Sequence, residues 1–225
     1  MLKFVLLVLL AVLCRNGLAQ EEFPFKEAIF QGPSGYRPGQ NFEYFMVKHG
    51  LFKSVGDDEE ATMIAEWIRQ HPNAKLVPVS ILGEKSRHPI VYFWAADGED
   101  NLNLFLVKKG IYFGFAMLDT VQVDQLVKNP KWVARLEAMQ RAGNPKRVPS
   151  PRLVSDARYE DFVKQLVAAE TAAQSESNGV WSDKFKPLRD KMGLVPLNAL
   201  PLSVLLHPVE QETGGQGTPK EMKVQ

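Results

Sequence analysis

The sequence predicts a mixed α+β domain, and three observations carry that prediction. Two runs are rich in β-branched and aromatic residues: "AKLVPVSIL" at 74–82 and "IVYFWAA" at 90–96. Two other segments place apolar residues at helical spacing, one before Pro72 and one running from Tyr159 to about Ser177. The chain has 225 residues, 45% of them hydrophobic, enough for one ordinary domain with appendages. Its net charge is +1, so no global field draws it to nucleic acid or an anionic membrane; any such binding rests on a local patch.

Residues 1–19 have the pattern of an export signal. Lys3 gives a short positive start, and Phe4 to Leu13 is an apolar run too short to cross a bilayer of ~30 Å. Gly17-Leu18-Ala19 offers small residues where a signal peptidase reads, so the mature chain is expected to begin at Gln20. Leu13 is too large for the lipobox position before Cys14. Cys14 is the only cysteine, so the mature chain is expected to hold neither disulfide nor thiolate ligand, and to be periplasmic or secreted.

The elements follow in order. Residues 20–41 form a loop-rich segment, because "QGPSGYRPGQN" is dense in Gly and Pro. "FEYFMV", 42–47, is a short apolar strand. "DDEEATMIAEWIRQHP" opens with four acids, which suit a helix N-terminus and are expected to be a solvated first turn rather than a metal site. Met63, Ile64, Trp67 and Ile68 mark its apolar face, and Pro72 ends it. After the strands at 74–82 and 90–96, "LNLFLVKKG" is a short helix ending at Gly110, and "IYFGFAML", 111–118, is expected to be a strand. Residues 119–158 read as a helical insertion of two helices broken at Pro130, ending in the basic, proline-rich "NPKRVPSPR". The long helix then places Tyr159, Phe162, Val163, Leu166, Ala169, Glu170 and Ala173 on or beside one face. Residues 185–225 form a C-terminal extension whose apolar part, "ALPLSVLLHP", is too short to span a membrane and whose last fifteen residues are expected to be disordered.

Three motifs carry a resemblance. A tyrosine, an alanine-rich helix and then Gly179-Val180-Trp181-Ser182 are similar to the C-terminal helix of staphylococcal (thermo)nuclease-like domains. "NLNLFLVKKGIYFGFA" resembles that family's second helix and following strand, and "EEATMIAEWIRQHPNAKLVPVSIL" its first helix and the strand after it. The resemblance covers roughly 42–118 and 159–183. It implies a five-stranded OB-type β-barrel with three helices, over a domain spanning 42–184. It also implies that Gly179 provides a left-handed stop and that Trp181 folds back beneath the barrel as a buried anchor.

The family's chemistry uses calcium, carboxylates and two arginines on a phosphodiester. Here the motifs depart from that pattern. No Gly-Asp-Thr occurs in 20–42, where the acids are only Glu21, Glu22 and Glu27. Along "EYFMVKHGL", Glu43 stands where the resemblance calls for an arginine, Lys48 and His49 where it calls for aspartate and threonine, and Leu51 where it calls for glutamate. In "GEKSRHPIVYFW", Glu84, Lys85 and Arg87 match the third motif with its glycine missing, which leaves Arg87 as the one catalytic carry-over. No pair among His49, His71, His88 and His207 has metal-ligand spacing, so no cofactor or metal is expected unless the chain is an active calcium nuclease. The expectation is therefore a pseudoenzyme. Lys48, His49, Lys53, Lys85, Arg87 and His88, with Tyr44, Tyr92 and Tyr112, would bind a single-stranded nucleic acid or an acidic protein segment. Two alternatives stand beside it. One is a calcium-dependent nuclease using Asp57, Asp58 or Glu84; the other is a structural subunit with an envelope partner held through 119–158 or 193–208.

Overall fold

A computed structural model describes residues 21–31, 34–46, 53–82, 89–118, 123–143 and 152–206. Residues 1–19, expected as an export signal, and Lys48, His49, Leu51, Glu84, Lys85, Arg87, His88 and His207 lie outside these residues. The fold is mixed α+β. Its strands are β1 (Phe23–Pro24), β2 (Ile29–Gln31), β3 (Ser34–Tyr36), β4 (Glu43–Met46), β5 (Lys75–Leu82), β6 (Ile90–Asp97) and β7 (Asp100–Asn101). They form one sheet in the order β1-β5-β6-β4-β3-β2, with β7 added beside β6. β4 and β6 run parallel; every other pair is antiparallel. The helices are α1 (Asp57–Gln70), α2 (Leu102–Lys108), α3 (Val123–Leu126), α4 (Pro130–Gly143), α5 (Asp156–Ser175), α6 (Lys186–Met192) and α7 (Leu202–Leu206).

The segment 20–41, expected as loop, holds three short strands that join both ends of the sheet. β1 pairs with β5, while β2 pairs with β3 at the opposite end. Between β1 and β2 lies only a 3-10 turn, Phe25–Glu27, and one residue. The first and last strands of the sheet are thus neighbours in the chain, and the sheet must curl to let them meet. Phe25 and Phe30 stack with ring centres 4.9 Å apart, and both face Phe93 of β6.

Pairing assigns the two faces of the sheet, because Cα partners point the same way. Tyr44, Leu76, Val91, Phe93 and Ala95 lie on the inner face, and all are buried. Val77 and Trp94 lie on the outer face beneath α5, where Trp94 stacks on Phe162 at 3.9 Å and on Tyr159 at 6.0 Å. Pro78 is tolerated within β5 because the pairing with β1 has already ended at Leu76, so no ladder bond requires its missing N–H. The register shifts between Pro78 and Ser80, and there Leu153 donates its N–H to Val79 O, 2.7 Å away.

The seven residues assigned to one face of the long helix are the seven that α5 buries. Ser155 caps its start by accepting from Arg158 N. Its end differs from the expected glycine stop: the first left-handed residue is Ser177, at φ 52°, and Gly179, at φ 49°, follows in a 3-10 turn. Gly179 serves a close approach. Val180 N–H donates to Gly110 O at 2.8 Å, and a Cβ on either glycine would overlap the other strand's backbone. The ends of α2 and α5 are joined at this point. Val180 is fully buried, whereas Trp181 is only half-buried, edge-on to Phe113 at 5.5 Å with the Arg189 guanidinium 5.3 Å from its ring.

The run 111–118 is not a strand. Tyr112 makes one isolated bridge to Lys53, and Gly114–Met117 is a 3-10 turn. A wholly apolar run has no period, and this one is apolar because it is enclosed on all sides. The insertion has its two helices, with Pro130 opening the second. It docks on the C-terminal extension: Lys128 N and Asn129 N donate to Gly193 O and Met192 O, and Val195 N donates to Leu126 O. Among the described residues no helix is long and apolar enough to cross a membrane.

Candidate functional site

Of the residues expected on the binding face, Tyr44, Lys53, Tyr92 and Tyr112 are described, and the structure does not bring them together as a stacking surface. Tyr92 is half-buried in β6, flanked by Phe45 of β4 and Ser80 of β5. Tyr44 is fully buried; its hydroxyl donates to Gln40 Oε1 at 2.5 Å, and burial pushes its pKa up to about 12. Tyr112 is 3% exposed, with its hydroxyl donating to Glu60 Oε1 at 2.7 Å. Burial and then that hydrogen bond raise its pKa. A base could not reach either ring of Tyr44 or Tyr112, so neither belongs to a stacking platform. Aromatic type was legible in the sequence, but the direction of each ring was not.

Lys53 is likewise committed. Its ammonium donates to Glu60 Oε2 at 2.6 Å and to Asp57 in the first turn of α1. Burial lowers the lysine's pKa, but the hydrogen bonds to Asp57 and Glu60 outweigh it and hold the group above its ordinary range. The first turn of α1 is therefore only partly the solvated acid cluster expected: Asp57, Asp58 and Glu59 are exposed, whereas Glu60 is buried and bound by Lys53 and Tyr112. The network pins the N-terminus of α1 to the segment bearing Tyr112.

Glu43, in the place where the resemblance calls for an arginine, is exposed at the start of β4. Its N–H donates to Pro89 O at 3.1 Å, next to the 83–88 segment that carries Arg87. Glu43 also lines a cleft of about 340 Å³ with Ser34, Gly35, Tyr36, Gln40, Asn41 and Phe42. Ile29 and Tyr36, 45% and 43% exposed, are cross-strand partners beside it.

One buried carboxylate carries more structure than its place on an apolar face suggested. Glu170 is 2% exposed. Its Oε2 accepts from Gly114 N and its Oε1 from Leu197 N, both at 2.7 Å, and the Gln174 amide lies 3.4 Å from Oε1. Burial raises its pKa to about 7, against the two backbone donors that lower it. The signal in the sequence was a carboxylate in register with Leu166 and Ala173 on the buried side of α5.

His71 closes α1: its ring stacks on Trp67 at 4.0 Å, with Nδ1 2.7 Å from Trp67 O and Nε2 3.5 Å from Asp100. Among the described residues no three His, Cys, Asp or Glu side chains gather to hold a metal ion. No protein-family model, curated protein or solved structure matches the chain.

Proposed function

We propose that the chain is an exported, catalytically degenerate nuclease-like barrel that works as a binding module for a single-stranded nucleic acid or an acidic protein segment. The strand arrangement supports the barrel. Counting β1 and β2 as one bent strand, and setting aside the two-residue β7 beside β6, gives five strands, a parallel β4–β6 pair and a first strand that touches both ends of the sheet, as an OB-type barrel requires. One observation carries the loss of catalysis. Lys53 already occupies the space between Asp57 and Glu60, so a cation is bound to Asp57, one of the acids on which a rearranged calcium site would draw. Glu43 adds a negative charge where a phosphate would need a positive one. The binding charges that remain are Lys48, His49, Lys85, Arg87 and His88, and of the three tyrosines expected with them Tyr92 is the one that is not fully buried.

Two measurements test this. Purified mature protein in millimolar calcium should digest single-stranded DNA or RNA no faster than a mock-purified control. Fluorescence anisotropy should detect a labelled single strand binding with an affinity that falls as salt rises, and Arg87→Ala should weaken it. Calcium-dependent cleavage abolished by Arg87→Ala would establish an active nuclease instead. Absence of strand binding, with capture of an acidic peptide, would assign the face to a protein partner.

A further inference from the structure

The Glu170 carboxylate joins three parts of the chain that are far apart in sequence. It projects from α5, holds the 3-10 turn of 114–117 through Gly114 N–H, and holds the C-terminal extension through Leu197 N–H. The site is shaped for it. A Cβ on Gly114 would lie 2.5 Å from Leu197 Cδ1 and 2.8 Å from Glu170 Oε2, so only glycine leaves room for both. Beside it Asn198 Nδ2 donates to Thr171 Oγ1 at 3.3 Å, a second and exposed tie between the extension and α5.

We propose that Glu170 is a proton-sensitive latch that fastens the described part of the C-terminal extension, residues 185–206, onto α5, and that raising the pH loosens it. The physical ground is the difference in hydration between the two positions of the latch. When the extension is seated, the carboxylate has two backbone donors and almost no water. When Leu197 lifts away, Oε1 is hydrated. Ionisation therefore favours the lifted state. No neighbouring charge offsets this. The 114–117 turn, the 179–181 turn, the 197–199 turn and α7 carry no ionisable side chain, and α2 contributes Lys108 and Lys109, which are exposed. On α5 itself the adjoining polar groups are Thr171 and Gln174, both neutral, and Glu176 at the C-cap is exposed. Gln174 also gives the proton a place. Turning its amide over would present the amide oxygen to a protonated Oε1, while Oε1 and Oε2 keep lone pairs for the two N–H donors.

The direction of linkage follows. In the seated state the carboxyl is raised to about 7 from 4.5, the value it regains when hydrated. Below the lower value both states hold the proton and the latch is at full strength. Its strength falls as pH rises between the two values and is lowest above about 7.

Amide hydrogen exchange on the full chain reads this directly. The Leu197 amide, corrected for intrinsic exchange and referred to the Val180 amide, should lose protection by about tenfold or more between about pH 5 and about pH 8. In Glu170→Gln that ratio should be independent of pH. Equal relative protection of Leu197 at both pH values in the native chain would overturn the proposal, as would a pH dependence that persists in Glu170→Gln. If the variant fails to fold, the native chain still decides: lost relative protection of Leu197 at the higher pH supports the latch, and equal protection overturns it.

Discussion

The contact of Gly110 with Gly179 shows how much one residue decides. Gly110 stands at φ 68°, and a side chain there would meet the Asn178 carbonyl. Gly98 stands at φ 61° with open space around it. Gly98→Ala should therefore cost only the left-handed penalty, about 1–2 kcal/mol, whereas Gly110→Ala should add the cost of overpacking, about 1–3 kcal/mol more. Urea unfolding of the two variants side by side measures the difference; equal losses would mean that the two backbones are not in contact. Lys53 gives a second test. Lys53→Met takes the ammonium away from the buried Glu60 carboxylate, and removing one partner of a buried polar group costs about 1–3 kcal/mol. A Lys53→Met protein as stable as its parent would show that Glu60 is reached by water. At this scale the sequence was legible in residue type and silent on direction. Tyr44 and Tyr112 read as candidate stacking rings because tyrosines favour such surfaces, yet both turn inward, and Glu60 read as solvated because its three neighbours are.

Elements were legible where their period is strong. β5, β6, α1 and α5 lie within a few residues of their expected spans, since β-branched runs and helical spacing mark them directly. β1, β2 and β3 have two or three residues each among Gly and Pro, too few to show alternation, and only their partners make them strands. α2 is short enough to depend on its cap. Asn101 Oδ1 accepts from Asn103 N at 2.8 Å and from Leu104 N at 3.4 Å, so Asn101→Ala should destabilise the chain by about 1 kcal/mol. Thermal unfolding followed by circular dichroism reads this; a change within error would mean that tertiary packing alone holds the helix.

For the whole molecule, the C-terminal extension proves integral rather than appended. Met192, Leu197 and Leu205 are buried, and the insertion bonds to 191–195. Burying a side chain of this kind contributes about 1.5–3 kcal/mol. Ending the chain after Ser182 should therefore lower the melting temperature by about 10–20 °C, and a truncated chain that melts with its parent would detach the extension from the fold. The sequence could not show this, because "ALPLSVLLHP" has no period, and the partners of 191–195, Leu126 to Asn129, lie far back in the chain. Much of the candidate site was illegible for a related reason: its charges fall in stretches of turn-prone sequence, where spacing says nothing about convergence.

The strands at the two ends of the sheet also impose an order in time. β2, β3 and β4 can form their meander as soon as they leave the ribosome, since each pairs with its neighbour in the chain. β1 must wait, although it comes first, because its partner Leu76 lies beyond α1. β4 in turn lacks its parallel neighbour until Ile90 to Phe93 arrive. Closure is thus a late, long-range event, and such events set the pace of folding in sheet proteins. Until it happens Phe23 lacks Leu76, and Phe25 and Phe30 lack Phe93, so three phenylalanines wait uncovered for partners that are made later.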